Sequence, residues 1–289
     1  MVRGGRTNDL DWDIGHEIAT LSDAPQFADK NKKRKITQEI IPEFFAHMLN
    51  LASIRQNILM VGPSGCGKTY IASKLAEKLG LPFGSQSCSA GMSESQLAGY
   101  LIPVGESGKF EYVASTFVHM YENSGVFLFD ELDAADENTM VFINGAIANG
   151  SFYLPQRHEN RQVTRHPDFI AVAAANTFGH GESIVYSGRN QLDGATLDRF
   201  RAGMIVCDYS PAVENALGDE QIVRWAKRVR KLIRNQGLNR IMSTRVILDF
   251  TKQKDDLGYD MSDFVRSYFA DWTADEREMA DSEGLLSPV

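Results

Sequence analysis

The chain has 289 residues, 43% of them hydrophobic, and a formal net charge of −8. That length suits a core domain of about 150–200 residues with a smaller appendage. No apolar run of about 18 residues suggests a membrane span, and the acidic balance argues against non-specific nucleic-acid binding.

Residues 1–36 are polar, charged and without periodicity, so a partly ordered arm is expected. The start lacks the apolar centre of a secretory signal. The basic run Lys32-Lys33-Arg34-Lys35 reads as a solvated face, with a nucleic-acid or partner contact as the alternative. From Ile36 to Ile54, Ile40, Ile41, Phe44, Phe45, Met48 and Leu51 recur at helical spacing, with Pro42 early enough for a helix to tolerate it. A helix over that stretch is expected.

Next comes the apolar run Ile58-Leu59-Met60-Val61, then Gly62-Pro63-Ser64-Gly65-Cys66-Gly67-Lys68-Thr69-Tyr70, then a segment with Ile71, Leu75 and Leu79 on one helical face. Strand, glycine-rich loop and helix stand in the order of a phosphate-binding loop, and every specified position of G-x-x-x-x-G-K-[ST] is matched. Glycines let backbone N–H groups turn around a polyphosphate, and the helix N-terminus adds partial positive charge. Gly62 to Tyr70 are therefore the candidate ATP-binding residues. Lys68 is expected to reach the β- and γ-phosphates, and Thr69 to offer a hydroxyl to Mg²⁺.

Pro82 to Cys88 reads as a second strand. A short helix near Ser93–Leu97 is followed by an alternating, glycine-punctuated stretch from Gly99 to Tyr112, which reads as a hairpin set into a helical region. The helix resumes near Ser115 to Tyr121. Gly125-Val126-Phe127-Leu128-Phe129 is a buried strand ending in Asp130-Glu131. Ligands of open α/β sheets bind at that strand edge. Asp130 is the candidate Mg²⁺ ligand, and Glu131 the candidate base for an attacking water. Asp133 and Asp136 are expected to cap the next helix, which ends near Gly150.

Phe152 to Val163 reads as a second hairpin, with Arg157 to Arg161 at its tip. Phe169 to Ala175 is a third buried strand, placed between the first two, and it ends in Asn176, which could hydrogen-bond the γ-phosphate. Asp198-Arg199-Phe200-Arg201 precedes a last core strand at Gly203–Cys207. From Ser210 onward the pattern is helical: Ile222, Trp225, Val229, Leu232 and Ile233 mark one face, Ser243-Thr244-Arg245 opens another helix, and Phe264, Tyr268 and Phe269 mark a third. Cys66, Cys88 and Cys207 lie far apart with no metal-ligand spacing, so free thiols in a reducing compartment are expected.

The phosphate loop, Asp130-Glu131, Asn176 and Arg199 together resemble the AAA+ ATPases. The two hairpins resemble the inserts of the MoxR-type branch. Asp130-Glu131-Leu132-Asp133-Ala134, Ala175-Asn176-Thr177-Phe178-Gly179-His180-Gly181, Tyr186-Ser187-Gly188, Asn190-Gln191, Asp198-Arg199-Phe200 and Met242-Ser243-Thr244-Arg245 resemble the CobS-like ATPase subunit of cobaltochelatase. The resemblance implies an α/β P-loop core over residues 37–210 and a helical lid with an acidic tail over 211–289. It implies that Asn176 is the sensor-1 residue, Arg245 the sensor-2 residue, and Arg199 an arginine finger donated to a neighbouring subunit, with Arg201 as its competitor. A cytoplasmic, Mg²⁺-dependent ATPase ring, expected to be hexameric and to act on a protein client or partner subunit, follows from it. A tetrapyrrole metallochelatase subunit, a nucleic-acid motor and a structural ring with little turnover are the rivals.

Overall fold

The computed structural model describes residues 40–105, 108–178, 186 and 189–287. All belong to one compact unit, Glu39–Val289; the other unit, Met1–Gln38, which holds the expected arm and its basic run, lies outside the described residues. Of the helix expected from Ile36, residues 36–39 lie outside the described residues and 40–44 are not helical; the first helix, α1, spans Phe45–Ser53. Pro42 explains the difference: it disfavours helix in the residue before it, and its carbonyl closes the turn onto the Phe45 N–H at 3.0 Å.

Then come β1 (Ile58–Val61), α2 (Lys68–Leu79), β2 (Phe83–Ser87) and the short α3 (Ser95–Ala98). An antiparallel hairpin follows, β3 (Tyr100–Val104) against β4 (Lys109–Val113). Helix α4 (Thr116–Asn123), capped by Ser115, leads into β5 (Gly125–Asp130). Helix α5 (Glu137–Asn149) runs to a second hairpin, β6 (Ser151–Tyr153) with β7 (Gln162–Thr164), and then β8 (Phe169–Ala175). Helix α6 (Gly194–Phe200) and β9 (Met204–Val206) complete the core.

The main sheet has five strands in the order β2-β5-β8-β1-β9, all parallel. Its register aligns the strand ends: Val61 pairs with Ala175 and Val206, and Ser87 with Asp130. The residues that follow β1, β5 and β8 therefore emerge along one edge. Strand alternation divides the core into two layers. Ile58, Met60, Val126, Leu128, Ile170 and Val172 pack with α1 and α2 on one face. Leu59, Phe127, Phe129, Phe169 and Ala173 pack with α4 and α5 on the other. There Phe117 stands edge-on to Phe127 at 5.2 Å between ring centres, and Tyr121 donates to the Ala146 carbonyl at 2.6 Å. Each fully buried aromatic or aliphatic side chain of this kind contributes about 1.5–3 kcal/mol.

Arg157, from the turn of the second hairpin, ties the two inserts together. It donates two 2.7 Å hydrogen bonds to the Glu122 carboxylate on α4, and its guanidinium lies 5.1 Å from the centre of the Tyr112 ring on β4.

From Pro211 the structure is helical: α7 (Pro211–Leu217), α8 (Glu220–Gln236), α9 (Thr244–Leu257), α10 (Met261–Tyr268) and α11 (Ala274–Ser282). Trp225, Phe250, Phe264, Phe269 and Trp272 form their core. Glu214 is buried at their centre, 1% exposed. It takes two bonds from Arg230, at 2.8 and 2.6 Å, and one from the Thr244 hydroxyl at 2.6 Å. Among the described residues no helix is long and apolar enough to cross a membrane.

Candidate functional site

Gly65 and Gly67 adopt φ of 71° and 94°, the left-handed region that glycine enters without a Cβ penalty. At Gly65 space matters as well, because a Cβ there would fall 2.6 Å from that of Ser243 at the start of α9. The loop thus bends around the N-terminus of α2 while the helical region presses on it from outside. The Arg245 N–H donates to the Gly65 carbonyl at 3.3 Å.

A cleft of about 550 Å³ opens at this junction. Ser64 to Tyr70 of the loop line it, with Asp130, Glu131, Asn176 and Arg245. Gly62 and Pro63 lie behind the cleft, where their carbonyls accept from Lys68 Nζ at 2.7 and 3.1 Å. The third acceptor of that ammonium is Asn176 Oδ1 at 2.9 Å. The Thr69 hydroxyl, in the first turn of α2, donates to Asp130 Oδ2 at the end of β5 at 2.7 Å. This pair suits a hard cation: one hydroxyl and one carboxylate oxygen side by side, open to the cleft, leave the remaining positions to water and phosphate, as Mg²⁺ requires. Among the described residues no cluster of three or more His, Cys, Asp or Glu forms an all-protein metal cage.

Glu131 follows in a left-handed conformation, φ 55° and ψ 42°, which costs a non-glycine residue about 1–3 kcal/mol. Arg199 is not among the residues lining the cleft: its Nη1 donates to the Ala195 carbonyl at 2.6 Å, and its buried Nε has no partner among the described residues. Arg201 is exposed on the turn that follows.

Asp133 corrects an expectation. Asp136 caps α5, accepting from the Thr139 N–H at 2.7 Å. Asp133 does not cap the helix; it is fully buried. Its Oδ2 accepts from the N–H groups of Asn176 and Thr177 at 3.1 and 3.0 Å and from the Thr177 hydroxyl at 2.9 Å. Its Oδ1 receives Arg189 Nη1 at 3.3 Å, and Arg189 Nη2 reaches Glu131 Oε1 at 3.3 Å. A buried carboxylate needs such a set of donors to offset its desolvation. Neither Arg189 nor this use of Asp133 carried a local signal in the sequence.

Two tyrosines also join the site, Tyr186 from one of the CobS-like segments and Tyr209 with no signal in the sequence. Tyr186 accepts from the Ser64 N–H at 2.9 Å, and Tyr209 donates to the Ser64 carbonyl at 3.0 Å. The neighbouring segments Gly179-His180-Gly181 and Ser187-Gly188 lie outside the described residues. Cys66 is half-buried, and burial raises its thiol pKa above the ordinary value; Cys88 and Cys207 are buried, and the same effect pushes both up to about 12. All three are free thiols.

Residues 57–200, just under half of the chain, match the model of the AAA domain of the dynein-related subfamily. An uncharacterized protein of Staphylococcus saprophyticus is 26% identical over 154 residues, covering 52% of this chain and 56% of that protein. An uncharacterized protein of Staphylococcus aureus strain USA300 is 24% identical over 198 residues, covering 67% of this chain and 72% of its own length. The match thus spans little more than half of the first relative. A solved structure of a candidate ATPase from Cytophaga hutchinsonii aligns at TM-score 0.45 and 18% identity, over 82% of this chain and 66% of that one. Residues 57–200 thus combine a match to the AAA domain model with a parallel α/β sheet, a G-x-x-x-x-G-K-T loop and an acidic strand end.

Proposed function

We propose that the chain hydrolyses ATP in a Mg²⁺-dependent reaction, and that it does so as a ring. The observation that carries the hydrolysis reading is the convergence of Lys68, Thr69, Asp130, Glu131, Asn176 and Arg245 on one cleft. Loop amides and the Lys68 ammonium bind the polyphosphate. Lys68 exchanges the carbonyls of Gly62 and Pro63 for phosphate oxygens. Thr69 and Asp130 hold the cation, which offsets phosphate charge when bound. Glu131 accepts the proton of the attacking water, and Asn176 orients that water or the γ-phosphate. Arg245, brought in by α9, closes the cleft from the lid side.

The ring reading rests on Arg199. Its guanidinium does not line the cleft of its own subunit, and among the described residues its Nε is unpartnered. A guanidinium donated from a neighbour stabilises the charge that spreads over the phosphoryl oxygens, an effect worth about 10³–10⁵ in rate where fingers have been removed. Turnover then moves the helical region that presses on Gly65 and, through β5, the two hairpins. That motion remodels a protein client or drives metal insertion into one, as in the MoxR- and CobS-like proteins that this sequence resembles. A chelatase subunit acting on a tetrapyrrole is the second reading, favoured by the segments around Asn176 and Asp198.

Three variants test this together. Lys68→Ala is expected to abolish ATP binding, Glu131→Gln to keep binding and lose turnover, and Arg199→Ala to keep binding and lose rate. Mixing the last two restores part of the activity if the finger acts in trans. A strict monomer under all nucleotide conditions, with no rescue on mixing, removes the ring.

A further inference from the structure

Arg189 lies between two carboxylates of different kinds. One belongs to Asp133, with 0% of its side chain exposed; the other belongs to Glu131, 46% exposed at the edge of the cleft. Arg189 itself is 13% exposed. Its place is fixed by its neighbour, since the Asn190 N–H donates to the Asp133 carbonyl at 2.7 Å and the Asn190 side-chain amide to the Ala135 carbonyl at 2.7 Å. The other oxygen of Asp133 is occupied by the N–H groups of Asn176 and Thr177. One buried acid therefore fixes both the turn that carries Asn176 and the guanidinium that touches Glu131.

The backbone at Glu131 makes this restraint matter. A left-handed non-glycine residue persists only where its surroundings over-determine it. Here the Asp130 carboxylate accepts from the Glu131 N–H at 3.0 Å, and Arg189 holds the far end of the side chain. Both Arg189 contacts are 3.3 Å long, with one nitrogen for each carboxylate. A planar fork can serve two acids in this way; a single ammonium cannot reproduce the geometry.

We infer that Arg189 is a positioning residue for the hydrolytic base: through Asp133 it locks the orientation of the Glu131 carboxylate to the turn bearing Asn176, so that the base and the γ-phosphate contact are set together. This rests on the assignment of Glu131 as the base. Orientation of a general base affects the chemical step and not the affinity of the loop for phosphate. Removing Arg189 should therefore lower kcat while leaving ATP affinity alone.

The test is a double-mutant cycle on the full chain, with steady-state ATPase rates and the Kd of a fluorescent ATP analogue measured in parallel. Arg189→Gln is expected to lower kcat about tenfold or more, a fraction of the roughly 10²–10⁴ that general-base catalysis supplies, with the Kd within about twofold of wild type. On a Glu131→Gln background, read as the residual single-turnover rate, the same change is expected to have no further effect, because the residue acts through the one already removed. An unchanged kcat in Arg189→Gln, or a full second loss on the Glu131→Gln background, overturns the proposal. If Arg189→Gln does not fold, Arg189→Lys carries the same test, since it keeps a cation beside Asp133 but lacks the fork. Wild-type kcat in that variant overturns the proposal equally. If Glu131→Gln alone retains full turnover, the base assignment fails first, and that result is distinct from a failure at Arg189.

Discussion

Two buried acids, one in the α/β core and one in the helical region, show how the same ingredients serve opposite ends. Asp133 and Glu214 each sit at 1% exposure or less, and each is held by a threonine hydroxyl and an arginine. At Glu214 the fork of Arg230 is spent on that one carboxylate, with bonds of 2.8 and 2.6 Å. Arg230 is further fixed by the Met242 carbonyl at 2.6 Å and by the Tyr209 ring, 4.1 Å from its guanidinium carbon. At Asp133 the fork of Arg189 is divided, and both contacts stretch to 3.3 Å. The first arrangement commits all three nitrogens of the guanidinium to structure. The second gives up tightness and in return touches a residue that faces the cleft.

The largest effect expected from this contrast is at Arg230. Arg230→Ala strands the Glu214 charge in the helical core and should cost about 3–5 kcal/mol. Urea denaturation followed by the fluorescence of Trp225 and Trp272, both in that core, measures it. Asp133→Asn should cost less, about 1–3 kcal/mol, because an amide oxygen still accepts from the Asn176 and Thr177 N–H groups while Arg189 keeps Glu131 as a partner. A thermal melt that ranks the two variants the other way breaks the comparison.

A third acid, near the surface, sharpens it further. Arg240 donates to Glu276 at 3.2 and 2.7 Å, and this holds the carboxyl pKa at about 2, below its ordinary 4.5. A depressed pKa contributes stability that is complete above the unfolded value and lost as pH falls through the folded one. Glu276→Gln should therefore lower stability at neutral pH by no more than about 1 kcal/mol. The gap from wild type should close between pH 4.5 and about 2. The smallest effect is at Cys66, whose raised thiol pKa keeps it protonated at neutral pH. Maleimide labelling should be slow there, quicken with rising pH, and slow again when ATP fills the loop.

What the sequence made legible was what is local. Ile58–Val61, Gly125–Phe129 and Phe169–Ala175 are uninterrupted apolar runs, and such runs become the central strands of a sheet covered on both faces. The phosphate loop and Asp130 carry their chemistry within a few residues of a strand end. Apolar spacing predicts too early a start for α1 because it continues upstream of Pro42, and spacing alone does not register a proline's effect on the residue before it. Asp133 carries the signal of a helix cap because it stands a few residues before a helix. Its true partner, Thr177, lies 44 positions away, and Arg189 meets Asp133 and Glu131 across 56 and 58 positions. The pairing of β5 with β8 and the Asn190 bonds to Asp133 and Ala135 bring those segments together, and no pattern of periodicity encodes which polar side chains will then face each other.

The clasp at Arg157 has a mechanical corollary. A two-bond ion pair with Glu122 and a cation–π contact with Tyr112 join both inserts to the helix that runs straight into the strand ending at Asp130. Load applied to either hairpin tip is therefore shared by the other and delivered to one side of the sheet. The pair works as a single stiff jaw with its root beside the acidic strand end.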